Sequence, residues 1–128
     1  MKEKNYDTFK KNRIELNDIV MKYSKRNIKR FYSLDSQVYQ DGALSKKTKE
    51  LLGLTASLVL RCDDCVTYHI IQCFEAKVTS EELEEALAIG LIVGGSITIP
   101  HLRRALKTWD TLTLDAQPST HFHRRRQK

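Results

Sequence analysis

The chain has 128 residues, 41% of them hydrophobic and 30% charged, with a formal net charge of +6. A single domain of this length buries roughly two-thirds of its unfolded surface, so its core needs neither a disulfide framework nor a structural metal. The composition excludes wholesale disorder and a chain made of membrane spans, while the charge is segregated: residues 1–49 carry net +7, residues 50–100 net −6 and residues 101–128 net +5.

In chain order, Tyr6, Phe9, Ile14, Leu16, Ile19, Val20 and Tyr23 recur at near-helical spacing and predict an amphipathic first helix. Ile28, Phe31, Tyr32, Leu34 and Val38 mark a second helix, with Gly42 as its stop signal. Ser45 is the expected N-cap of a leucine-rich, proline-free third helix over Lys46–Leu60. A fourth begins near Cys62 and runs toward Ala76. Thr79 followed by Glu82 forms a capping-box pattern, and Glu81, Glu82, Glu84 and Glu85 place negative charge where the helix dipole favours it. That fifth helix ends at Gly94-Gly95. After Pro100, His101–Leu114 reads as the last helix. No strand pair stands out, so the fold class is all-α: a single-domain bundle of about six helices over 1–115, followed by a basic, flexible tail over 116–128 that holds Arg124-Arg125-Arg126.

Basic ends are an electrostatic footprint of nucleic-acid or anionic-surface binding. Here the Lys and Arg of the first segment are interleaved with Asp and Glu on helix-like sequence, which reads as a solvated face. A helical oligomeric binding module with basic termini that contact nucleic acid is therefore the alternative, carried mainly by the arginine run. The first 30 residues lack the apolar stretch of a secretory signal, and cytoplasm is the expected compartment. The longest uncharged run, Ala86 to Pro100, has 15 residues against the roughly 20 a membrane span needs. It is expected to be enclosed as core or subunit contact.

Three cysteines, Cys62, Cys65 and Cys73, are few and odd in number for a disulfide scaffold. Cys62-Asp63-Asp64-Cys65 is the chemical centre. At helical spacing its two sulfurs share one face, and His69 lies a turn beyond Cys65 on almost the same line. A helix start and Arg61 favour a thiolate there, whereas Asp63 and Asp64 disfavour it. Redox chemistry is the leading reading. Zinc held by the two thiols with His69 and His101 has the right ligand types, but three ligands so close on one helix are cramped, and no metal or cofactor is assigned. Cys73 has no chemical partner of its own and reads as a packing residue. Taken alone, His69 would be a histidine satisfying a buried hydrogen bond.

Glu50 changes that weighting, because Glu50, Cys62, Cys65 and His69 together form the pattern E-x11-C-x2-C-x3-H. With the leucine-rich stretch before it, the acidic helix start at Thr79–Glu85 and the Gly94-Gly95 break, the chain over roughly 30–112 resembles the alkylhydroperoxidase D and carboxymuconolactone decarboxylase superfamily. The resemblance implies an all-helical thiol-dependent peroxidase or disulfide oxidoreductase. In it Cys65 attacks the peroxide, His69 and Glu50 draw off its proton, and Cys62 resolves the sulfenic acid as a disulfide. A dithiol or disulfide-reductase donor then restores the thiols. The decarboxylase branch works without a C-x-x-C pair, so lactone decarboxylation is not expected. Cys65 is one turn from the base and Cys62 seven residues from it, nearer the helix end, where an external dithiol is expected to reach it. The apolar Ala86–Ile99 stretch and the resemblance both point to a homo-oligomer, most simply a hexamer.

Overall fold

The structure is a computed structural model that describes residues 5–117; residues 118–128, and with them Arg124-Arg125-Arg126 and nearly all of the expected tail, lie outside the described residues. Among the described residues there are six α-helices, one 3-10 turn and no strand: α1 (Asn5–Tyr23), α2 (Arg26–Val38), α3 (Lys46–Val59), α4 (Asp63–Glu75), α5 (Ser80–Gly94), the turn Ser96–Thr98, and α6 (Ile99–Ala116). No helix among them is long and apolar enough to cross a membrane.

The helix starts follow local chemistry. Ser45 Oγ accepts the Thr48 backbone N–H at 3.1 Å, and Thr79 and Glu82 close both bonds of a capping box at 3.1 and 2.9 Å. Pro100 stands in the first turn of α6, where its missing N–H costs nothing. The helix ends are less regular. α2 ends at Val38, short of Gly42, because the Lys49 ammonium reaches back from α3 and donates to the Val38 and Gln40 carbonyls at 2.8 and 2.6 Å. Those bonds satisfy terminal carbonyls that the helix itself leaves unpaired.

α3 and α4 both close with paired 6→1 and 5→2 bonds. Cys62 N–H donates to Ser57 O and Arg61 N–H to Leu58 O, while Val78 N–H donates to Cys73 O and Lys77 N–H to Phe74 O. The left-handed position in each turn is held by a residue other than glycine, Arg61 at φ 59° and Lys77 at φ 68°. Each costs about 1–2 kcal/mol. The first of these turns delivers the chain from α3 straight into Cys62, the N-cap of α4.

The core is built by α3 to α6: Leu54 and Leu58, Val66, Ile70, Ile71 and Cys73, Val78, Leu83 and Leu87, and Ala105, Trp109 and Leu112. Full burial of one such leucine or isoleucine contributes about 1.5–3 kcal/mol. Trp109 closes one end, its ring edge-on to Phe74 at 5.7 Å and its N–H donated to Ser80 Oγ at 2.9 Å. α1 and α2 contribute no buried residue. α1 lies over this core through Tyr6 and Phe9, through a Tyr6–Asp115 hydrogen bond and through a Lys10–Glu75 ion pair. In the single chain, the apolar positions of α1 and α2 stay largely open, Phe31 being 69% exposed, as does the outer face of α5, where Ile92 is 83% exposed.

Candidate functional site

The motif residues form two pairs: Glu50 of α3 meets His69 of α4, and Cys62 and Cys65 lie together at the start of α4. Glu50 is 1% exposed, and both its oxygens are occupied: His69 Nδ1 lies 2.9 Å from Oε1, and Lys46 Nζ lies 3.3 Å from Oε2. A carboxylate can only accept, so Nδ1 carries a proton toward Glu50, and in the neutral imidazole Nε2 presents a lone pair. Pairing two groups of opposite tendency is what makes burying either tolerable. His69 is likewise buried, so the pair is held as one unit inside the bundle.

Nε2 makes no hydrogen bond to either thiol among the described residues. Its partner is the Tyr39 hydroxyl, 3.4 Å away, on the residue that caps the end of α2. The two rings sit 5.3 Å apart, and Tyr68 packs edge-on against His69 from the other side at 5.2 Å. This contact depends on Gly53 in the middle of α3. A Cβ there would fall 2.7 Å from the Tyr39 hydroxyl, 2.7 Å from His69 Cε1 and 2.9 Å from Nε2. Tyr39 and Gly53 were not singled out from sequence. An unforced glycine inside a helix costs about 1 kcal/mol relative to alanine, and that was the available signal for Gly53.

Cys62 and Cys65 are both free thiols at the start of α4. Cys62 Sγ acts as the N-cap acceptor, taking the Cys65 backbone N–H at 3.3 Å. The exposure of the pair is opposite to expectation: Cys65 is the exposed sulfur, and Cys62 is half-buried. The N-cap geometry turns Cys62 back over the helix end, while Cys65, one turn in, faces outward. The Cys65 thiol is pushed up to about 11, first by its hydrogen bond to Cys62, then by desolvation and by the charges of Cys62 and Asp64; a backbone hydrogen bond works the other way. The helix start therefore does not prevail at Cys65 against its neighbours, and the resting sulfur keeps its proton near neutrality.

The two aspartates between the thiols behave differently. Asp63 turns away to α6, with Oδ1 2.7 Å from His101 Nδ1 and Oδ2 3.0 Å from an Arg104 guanidinium nitrogen. Desolvation works to raise its carboxyl, but the hydrogen bonds and charges of His101 and Arg104 outweigh it and hold it below the ordinary value. Asp64 is the aspartate that acts on Cys65. His101, weighed as a fourth zinc ligand, thus belongs to the Asp63 clamp, and among the described residues no three His, Cys, Asp or Glu converge on a common point for a metal. Cys73 lies fully buried in the core, its thiol pushed up to about 12 by burial and then by the Glu50 charge.

Cys65 and Asp64 open onto a cavity of about 580 Å³ walled by α1 and α2. Phe9, Leu16 and Phe31 are its apolar lining, and Arg13, seated 4.0 Å above the Tyr68 ring, lines it as well. Those two helices carry no motif residue, and their role as a wall beside the thiol was not visible in sequence.

Residues 28–108 match the carboxymuconolactone decarboxylase family. An uncharacterised protein of Cupriavidus necator is 37% identical over 57% of this chain, a match that spans 65% of that relative's length. An uncharacterised protein of the cox locus of Paracoccus denitrificans is 28% identical over 64% of this chain and 74% of its own. A crystal structure from Thermotoga maritima superposes with a TM-score of 0.83 at 53% identity, covering 84% of this chain and 95% of that one. The same Thermotoga protein is described as a carboxymuconolactone decarboxylase family member with a suggested involvement in the antioxidative response. A family member from Legionella pneumophila superposes with a TM-score of 0.78 at 25% identity, over 86% of this chain and 98% of its own.

Proposed function

The chain belongs to the carboxymuconolactone decarboxylase family, and on that premise we propose that it is a thiol-dependent peroxidase, reduced in turn by a dithiol donor. The observation that carries this reading is an exposed Cys65 beside Cys62 at the start of α4, with the buried Glu50–His69 pair one turn further along that helix. An attacking thiol, a base to release it and a second thiol within reach are the parts such a reaction needs.

In the proposed cycle the Cys65 thiol gives up its proton toward His69, and Glu50 stabilises the imidazolium that forms. The sulfur attacks the terminal oxygen of a hydroperoxide, an S–O bond forms as the O–O bond breaks, and the departing alkoxide takes the proton back as an alcohol. Cys65 is then a sulfenic acid. The Cys62 thiol attacks it, water leaves and a Cys62–Cys65 disulfide remains. An external dithiol reduces that disulfide in two exchange steps. Because Cys65 is protonated at rest, the base is essential rather than auxiliary. Cys65 and not Cys62 lines the cavity, which supports Cys65 as the sulfur that meets the peroxide. The proposed dithiol donor suits a reducing compartment, and the cytoplasm is the compartment that goes with this reading.

The same reading includes a homo-oligomer, most simply a hexamer. The open apolar residues of α1, α2 and α5, including Phe31, Ile89, Ile92 and Val93, are the surfaces it would enclose. The function is tested by following peroxide consumption with dithiothreitol and with lipoyl-type dithiols as donors. Turnover lost in Cys65→Ser is the expected result, and a wild-type protein that consumes no peroxide with any of these donors overturns the reading.

A further inference from the structure

We propose that α2 of one copy of this chain seats along α5 of a second copy and parallel to it, arginines of α2 against glutamates of α5 and apolar side chains beyond them. This rests on the homo-oligomer proposed above, not on the thiol chemistry, and names the two faces that meet. Two exposed rows carry it. On α2, Arg26, Arg30, Leu34 and Val38 follow one another at intervals of four, and on α5 Glu81, Glu85, Ile89 and Val93 do the same. Residues four apart stand on one side of a helix. Each row is therefore a ridge of two charges followed by two apolar side chains, about 18 Å long. All eight residues are exposed, the four apolar ones by 54–68%.

Among the described residues none of Arg26, Arg30, Glu81 and Glu85 enters an ion pair, whereas the neighbouring Glu82 is held by Lys47 at 2.9 Å. α5 has no Lys or Arg at all, while α2 sets Arg26, Lys29 and Arg30 against Asp35 alone. The apolar halves are equally open. Phe31, three residues before Leu34, and Ile92, three past Ile89, widen them. Contiguous exposed apolar surface rimmed by charge is the mark of a contact face.

The order of the residues selects both partner and direction. Two α2 helices laid in parallel would set arginine on arginine, and two α5 helices glutamate on glutamate. Antiparallel pairs would press charges onto apolar side chains with no partner to offset their desolvation. α2 against α5 matches along the whole row when the N-termini lie at the same end. Rows at intervals of four interdigitate when helix axes cross at about −50°, the commonest packing of helices in globular proteins. An anionic lipid surface would suit α2 but repel the acidic row of α5, whereas a second copy satisfies both. α2 also carries Phe31 and Asp35, which line the cavity beside Cys65, so the helix that docks is a wall of the proposed site.

The test uses three variants of the full chain, their helix content established by circular dichroism. One carries Arg26→Glu and Arg30→Glu, one carries Glu81→Arg and Glu85→Arg, and the third carries all four. Light scattering at micromolar concentration in low-salt buffer reads the mass of each beside the wild type. Either two-residue variant sets like charges face to face in every such contact, so its mass should fall to half the wild-type value or less. The chain with all four substitutions restores opposite charge in every contact and should regain the wild-type mass, whereas mere damage to each helix would add up rather than cancel. Two-residue variants that keep the wild-type mass would give these rows to another occupant, such as a lipid surface or a foreign protein, and overturn the inference while the homo-oligomer stands. A four-residue variant that stays small would show that the rows do not meet each other, and overturns it too. A wild type of single-chain mass removes the homo-oligomer and this contact with it, leaving the peroxidase reading untouched.

Discussion

Replacing Cys62 with alanine tests the account of Cys65 most directly. The Cys65 thiol is raised from its ordinary 9.0 to about 11, and the first cause is the hydrogen bond to Cys62, with the Cys62 charge adding to it. Cys62→Ala removes both and leaves desolvation and Asp64, so the thiol should fall part of the way back toward its ordinary value. At pH 7.5 a thiol at about 11 is thiolate to roughly 3 parts in 10⁴, and each unit by which it falls raises that fraction about tenfold. A less basic thiolate is also a weaker nucleophile, by a Brønsted slope of about 0.4–0.5, which takes back about threefold of each tenfold gain. The Cys65 sulfur is exposed, and water screens part of the interaction. A net acceleration of about three- to tenfold is expected for iodoacetamide alkylation of Cys65, read by peptide mass spectrometry. The sign is distinctive: loss of a neighbouring thiol makes the remaining one more reactive. Buried Cys73 serves as the internal control and should stay unalkylated while the protein is folded. An alkylation rate for Cys65 that stays the same or falls in Cys62→Ala would refute the reasoning.

Cys62→Ser should still permit one attack on peroxide, leaving a sulfenic acid on Cys65 that a dimedone-type probe labels; label on Cys62 in Cys65→Ser, with none on Cys65 in Cys62→Ser, would reverse the two roles. Glu50→Gln should slow peroxide reduction by about 10²–10⁴-fold with the fold retained, measured by stopped-flow consumption, and an unchanged rate would remove Glu50 from the relay. Lys77→Gly relieves a left-handed residue just past the end of α4 opposite Cys62 and Cys65. Because glycine also loosens the unfolded chain, it should stabilise by only about 0.5–1 kcal/mol in urea titration, and a loss of stability would show that Lys77 is not strained. Light scattering at micromolar concentration should give a multiple of the 14.8 kDa chain mass; a monomeric mass would contradict the proposed assembly.

Local chemistry was legible in the residues alone. Caps such as Ser45, Cys62 and Thr79–Glu82 act within three residues of themselves, so helix starts could be read one by one. The pattern Glu50, Cys62, Cys65 and His69 was legible for a similar reason, since α3 and α4 are adjacent in sequence and joined by a short turn. Helix ends were harder. α2 stops because Lys49, eleven residues past Val38, donates to its carbonyls, and the turns at Arg61 and Lys77 use left-handed residues that carry no glycine to announce them.

What only the tertiary structure decided was direction and distance between elements far apart in the chain. Tyr39 reaches His69 across thirty residues, and its approach is allowed by an absence, the missing side chain of Gly53, which no periodicity registers. Asp63 and Asp64, neighbours in sequence, take opposite roles because only Asp63 meets His101 and Arg104 on α6. Sequence spacing alone would put both sulfurs on one face of a helix, whereas Cys62 stands just before α4 as its N-cap. The packing of that face decided the rest: which sulfur opens to the cavity, which caps the helix, and how strongly each neighbour acts on the thiol, because hydrogen bonds and charges fall off with distances that exist only in the folded chain.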